Sequence, residues 1–182
     1  MIEITPLTES ITIKNVKHSQ FASHETNCFE CTIYSHGTER IGWAENSGQG
    51  GQTNITFIDT ETESEFRNLE ADEDEIITDM KDPDGKLMTI AFSLEDHIDN
   101  LVVRWLETRD LKRSLKTKLL VVDDTCKHGQ ALQWKLEGQD PDRLYKAVLE
   151  VQTDLKNPKC LNLLPTNEAV EIFCGKLGDY SR

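Results

Sequence analysis

Apolar and polar positions alternate through the first third of the chain. Ile11 and Ile13 are interleaved with Thr12 and Lys14, a period of two that predicts a half-buried strand. After the polar turn Ser23-His24-Glu25, residues 28–34 put Phe29, Cys31 and Ile33 on one face. Ser35-His36-Gly37-Thr38 is turn chemistry, and residues 40–45 return with Ile41 and Trp43 on one face, so the two segments read as a hairpin. A loop over residues 46–54 carries Gly48, Gly50 and Gly51, and a short strand over 55–58 follows. Residues 61–71 hold only Phe66 and Leu69 as apolar anchors and read as a surface helix. Residues 75–92 predict a hairpin turning at Asp82-Pro83-Asp84-Gly85, with a helix over 73–80 as the competing reading.

The period then lengthens. Leu94, Ile98, Leu101, Val102 and Trp105 recur at three and four residues behind a Ser93/Asp96 capping box, predicting a helix to about Arg109. A second short helix over 111–116, a buried strand over 118–122 and an alternating Leu132, Trp134, Leu136 strand are expected next. Asp140-Pro141 opens another helix with the stripe Leu144, Ala147, Val148, Val151 and Leu155, broken at Asn157-Pro158. A short strand over 160–164 precedes a last helix capped by Thr166 and ended by Gly175. Trp43, Trp105 and Trp134 each fit a core stripe. The expected class is α+β: an antiparallel N-terminal sheet, with helices and further short strands in the C-terminal half. Three regions are expected: a β-rich part over 1–58, an acidic insert or connecting section over 59–92, and a mixed part over 93–182. They make one compact domain, or two subdomains joined by the acidic section.

Charge sharpens this picture. Among 182 residues, 33 acids face 20 bases, for a net −13. Residues 59–84 hold 12 of the acids against Arg67 and Lys81 alone. Nucleic-acid binding is disfavoured, because phosphates demand clustered Lys and Arg. The acidic run, with Glu61, Glu63, Glu65, Asp72, Glu73, Asp74 and Glu75 as its candidate contacts, is either a solvated face or a surface for a basic protein. Its spacing does not follow a calcium loop. No apolar run approaches the roughly 18 residues of a membrane span, and MIEITPLTES has no signal-peptide character, so a cytoplasmic protein with no membrane partner is expected. The five cysteines are odd in number and scattered, and read as free thiols. Only Cys28 and Cys31 have ligand-like spacing, and on a strand they point to opposite faces, so no metal is expected.

The glycine loop is the most specific local signal. Glycines allow close approach of a backbone to a ligand, yet no P-loop or dinucleotide fingerprint is present. The loop is a structural turn or a ligand contact. In the second case Asn46, Gln49 and Gln52 would act with Gly48, Gly50 and Gly51, and a nearby Glu25 would disfavour a bare phosphate. His24-Glu25-Thr26 and His36-Gly37-Thr38 resemble the H-x-T motifs of two-histidine phosphoesterases, but lie twelve residues apart where that family separates them widely. His18, His24 and Asp123 are weak catalytic candidates; His97 and His128 read as surface residues.

Several segments together resemble a family of uncharacterised phage and bacterial proteins. Glu25-Thr26-Asn27-Cys28-Phe29 is similar to its E-T-x-C-F stretch. Asn46, Gly48, Gly50 and Gly51 match N-x-G-x-G-G, and Leu161-Asn162-Leu163-Leu164-Pro165 matches L-N-x-L-P. The family has a histidine in the glycine loop, where this chain has Gln49. The resemblance implies a phage or prophage accessory protein and carries no activity. The expectation is a non-catalytic protein binding a host protein with a basic surface or a small nucleotide-like ligand, set against defence by the host. The alternative is a small hydrolase of a nucleotide or phosphodiester. No cofactor is expected, and oligomeric state is left open.

Overall fold

A computed structural model describes residues 7–175. The chain is α+β and folds as two compact units, one up to Val103 and one from Arg104. The first opens with a short helix, α1 (Leu7–Ser10), and a four-stranded antiparallel sheet of β1 (Ile11–His18), β2 (Cys28–Ser35), β3 (Glu39–Ser47) and β4 (Asn54–Phe57), in that order. Helix α2 (Thr60–Asp72) and the two-stranded hairpin β5 (Ile76–Lys81) and β6 (Leu87–Ile90) come next, followed by α3 (Leu94–Ser114), whose residues from Arg104 onward belong to the second unit. The acidic section is therefore ordered as helix and hairpin within the first unit. One face of the sheet is buried by Phe29, Cys31, Ile33 and Ala44, and the core is completed by Phe57, Phe66, Leu94, Ile98 and Val102. Each such large side chain withdrawn from water contributes about 1.5–3 kcal/mol.

The second unit contains the sheet β8 (Leu132–Lys135), β7 (Lys118–Val122) and β9 (Lys159–Cys160), with α4 (Pro141–Val151) and α5 (Thr166–Cys174). Alternate residues of β7 point to opposite faces. Leu120 and Val122 pack with Leu111, Leu161 and Ala169, while Leu119 and Val121 pack with Leu136, Val148 and Cys160. That two-sided burial explains the unbroken apolar run Leu119–Val122. Asn162 locks the layer: its Oδ1 accepts the Leu120 N–H at 2.8 Å, and its amide donates to the Lys118 and Leu115 carbonyls.

Several expectations are corrected. Register pairs Ile33 with Gly42 but Tyr34 with Arg40, leaving Ile41 as an extra bulge residue. A bulge shifts alternation by one position. Ala44 and Asn46 therefore face inward, while Trp43 lies 41% exposed with the Arg40 guanidinium 5.8 Å from its ring. Helix α3 runs unbroken through Ser114, because Leu111 is buried and continues its apolar face. Helix α4 ends at Val151, which is 76% exposed and outside the core. Residues 161–163 form a 3₁₀ turn after a two-residue strand. Pro165 occupies the cap position of α5, with Thr166 already inside the helix. The hairpin, not the competing helix over 73–80, is what residues 76–90 form. Leu69 is exposed, so Phe66 alone anchors α2 by burial. Among the described residues no helix is long and apolar enough to cross a membrane.

Candidate functional site

The glycine loop is held from within. The Asn46 side chain, 4% exposed, accepts the Gly48 N–H at 2.9 Å and the Thr26 hydroxyl at 2.8 Å. Its amide donates to the Gly51 carbonyl and the Thr53 hydroxyl oxygen at 3.0 and 3.1 Å. Thr53 in turn donates to Asp99 at 2.5 Å, tying the loop to α3. The Gly48 carbonyl receives the N–H groups of His24, Glu25 and Thr26. Gly48 has φ +81°, and an added Cβ would lie 2.2 Å from the Ala22 carbonyl oxygen. A Cβ on Gly50 would lie 2.1 Å from Glu25 Oε2, so Glu25 does sit beside the loop. Asn46 is thus occupied by the fold, while Gln49, Gln52 and Gly51 are exposed.

Next to the loop, a cavity of about 480 Å³ is lined at one end of the sheet by His18, Cys28, Glu30, Glu45, Ser47 and Asn54, among others. Lys17, Glu30, Glu45 and Asn54 form one cross-strand row, with Lys17 paired to Glu30 at 3.0 Å. His18 lies 3.4 Å from the Ser23 hydroxyl, and His24 is exposed. Asp123 belongs to the other unit. It organises a turn, accepting from the Thr125 hydroxyl and the Thr125 and Lys156 N–H groups, which hold its carboxyl down at about 2. A carboxylate so firmly ionised is a poor proton acceptor near neutral pH. Among the described residues no group of three or more His, Cys, Asp or Glu is arranged for a metal.

The acidic section forms the other candidate surface. Asp59 caps α2 by accepting the Thr62 N–H at 2.7 Å. Phe66 stacks on Phe57 with centroids 6.2 Å apart, fixing the buried side of the helix. Arg67 reaches Glu95 at 2.6 Å and Glu70 at 2.7 Å, and Glu70 also accepts the Leu94 N–H at 2.6 Å. Burial raises the Glu95 carboxyl, but the hydrogen bonds and charge of Arg67, the Glu95 backbone N–H and the Ser93 hydroxyl together outweigh it, and the net direction is down. One of the two local bases is thereby consumed internally. Glu61, Glu63, Glu65, Asp72 and Asp74 are exposed and make no ion pair among the described residues. Glu73 accepts the Leu7 N–H, and Glu75 accepts the Thr89 hydroxyl at 2.5 Å.

The adjoining hairpin is apolar on its surface. Ile77, Met80, Leu87, Met88 and Ile90 are all more than 40% exposed. Among the described residues its two strands pair only with each other. Asp82 makes the turn, its side chain accepting the Asp84 and Lys86 N–H groups. At the base of the hairpin a cavity of about 260 Å³ is bounded by Ile76, Ile90 and Phe92 and by Ser93, Asp96, His97, Asp99 and Asn100 of the α3 start. Burial, helped by the neighbouring charges of Asp96 and Glu95, raises the Asp99 carboxyl against the Thr53 hydrogen bond. His97 is only 1% exposed, and burial pushes its imidazole down to about 4, so the surface placement expected for it is wrong. The spacing held the signal: 94, 97, 98 and 101 follow the i, i+3, i+4, i+7 rule, which puts His97 on the buried stripe. The exposed hairpin had no such marker, since its alternation reads like that of any sheet strand.

Neither family models, curated proteins nor solved structures include a match to this chain.

Proposed function

We infer that this protein is a non-catalytic binding module whose acidic helix α2 and apolar hairpin β5–β6 capture a protein with a basic surface. The observation that carries this reading is the adjacency of unneutralised carboxylates and an exposed apolar hairpin in one unit. A solvated face that only maintained solubility would have no reason to carry Ile77, Met80 and Leu87 in the open. The acids steer a basic partner and the hairpin supplies the apolar area that holds it. The resemblance to the phage and bacterial family favours a host protein as the partner, and five free cysteines fit a reducing host cytoplasm. A nucleotide-like ligand at the glycine loop is supported less, because Asn46 is already saturated and Glu25 and Glu45 border the space. The hydrolase alternative loses support in the same way, with Asp123 held ionised in a turn of the other unit.

The test uses an arginine- and leucine-containing basic peptide titrated onto the full chain at low and high salt. Binding that weakens with salt, falls in Glu61→Gln/Glu63→Gln/Glu65→Gln, and falls again in Ile77→Ser/Leu87→Ser supports the reading. Equal binding by parent and both variants, or none at low salt, refutes it.

A further inference from the structure

The cavity at the base of the hairpin has two kinds of wall. Ile76 and Ile90 lie directly opposite each other across the hairpin and, with Phe92, make an apolar side. Asp96 and Asp99, three residues apart on α3 and so neighbours on the helix surface, supply two carboxylates beside the Asn100 amide. Among the described residues no lysine or arginine lines the space, and the nearby Arg67 is engaged by Glu70 and Glu95. Among the described residues Asp96 and Asp99 have no ion-pair partner; Asp99 Oδ1 accepts only the neutral Thr53 hydroxyl. The acidic segment bearing Asp72, Asp74 and Glu75 runs directly into Ile76, which itself lines the cavity.

We propose that this cavity receives an arginine side chain of the basic partner, its methylene stem against Ile76, Ile90 and Phe92 and its guanidinium between Asp96 and Asp99. The proposal rests on the partner-binding reading above and names what that surface selects. Arginine fits better than lysine for three reasons. Its planar fork offers donors to two carboxylates and an amide oxygen at once, it is more weakly hydrated than an ammonium, and its flat head tolerates an aromatic neighbour such as Phe92. A bare metal ion fits worse, because half the wall is hydrocarbon and offers no ligand. Burial of Asp99 among like charges is relieved by an entering cation, which is consistent with the upward direction of its titration.

The experiment compares equal-length oligo-arginine and oligo-lysine peptides on the full chain, with isoleucine methyl signals read by NMR alongside affinity. Oligo-arginine is expected to move the Ile76 and Ile90 methyls and to bind about 10-fold tighter than oligo-lysine. Asp96→Asn and Asp99→Asn, each nearly isosteric and able to keep the fold, are expected to erase that preference while leaving a weaker, salt-sensitive binding. If both peptides bind equally, respond to Glu61→Gln/Glu63→Gln/Glu65→Gln, and leave Ile76 and Ile90 unmoved, the cavity proposal is overturned and the acidic surface stands. If neither peptide binds, the surface reading falls and takes the proposal with it.

Discussion

Replacing Asn46 with alanine separates a loop organised by its own side chain from one kept free for a ligand. The side chain makes four hydrogen bonds of 2.8–3.1 Å. They are not equal in cost. The Gly51 carbonyl is exposed and regains water, and the half-buried Thr26 hydroxyl can rotate to another partner. The buried Gly48 N–H and Thr53 oxygen are left without that side chain. At roughly 1 kcal/mol net for a made bond and 1–3 kcal/mol for a buried group left unsatisfied, the expected loss is about 2–3 kcal/mol. The assay is urea unfolding, comparing midpoints at unchanged slope, with amide exchange at His24 and Glu25 as a local readout. Those two N–H groups bond the Gly48 carbonyl, which Asn46 positions, so their protection should fall further than that of β2. Asn46→Asp is the sharper companion. It keeps both accepted bonds but turns a charge toward the Gly51 carbonyl, in a site whose Thr53 hydroxyl proton already goes to Asp99. It should be at least as destabilising at neutral pH and recover as pH falls and the new carboxyl is protonated. An alanine variant within about 0.5 kcal/mol of the parent, with His24 and Glu25 exchange unchanged, refutes the reasoning.

Three further outcomes are expected. Gly48→Ala combines a positive φ with a Cβ 2.2 Å from a backbone oxygen and should lower stability by more than about 2 kcal/mol, while Gly51→Ala, facing open space, should be close to neutral in thermal melts. His97 should make the fold acid-sensitive: its folded pKa of about 4 lies below the 6.5 of a free imidazole, so the unfolded chain takes the proton first. Stability should then fall as pH drops from 6.5 to about 4, by up to about 3 kcal/mol. Asp99, raised in the fold, acts with the opposite sign, so the measurement belongs in Asp99→Asn, where adding His97→Gln should flatten the curve; a slope that persists rules the histidine out. Burial holds the Cys31 and Cys174 thiols up at about 11 and raises Cys160, so alkylation at neutral pH should reach these three only after unfolding. Mass spectrometry of partially labelled native protein reads this directly, and modification of Cys31 ahead of Cys28 counts against it.

Local chemistry in the chain determined most of the elements. Period-two alternation placed β1 and β2, Pro83 and Gly85 marked the hairpin turn, and the Ser93 box and Asp140-Pro141 opened their helices, because each signal acts over a few residues. The glycine loop was equally visible, and so was Glu25 as its candidate neighbour. Tertiary structure decided what those residues are for. A single bulge at Ile41, invisible in composition, turned Trp43 outward and Asn46 inward, converting a candidate ligand contact into the loop's own staple. Leu111 carried α3 past its expected end because a buried face outweighs a charged sequence. The pairing of Arg67 with Glu95 joined residues far apart in the chain and, with the local Glu70 pair, consumed the one arginine of the acidic section. Propensity and capping are properties of neighbours along the chain, whereas burial, like-charge proximity and the shape of a cavity exist only once distant segments meet.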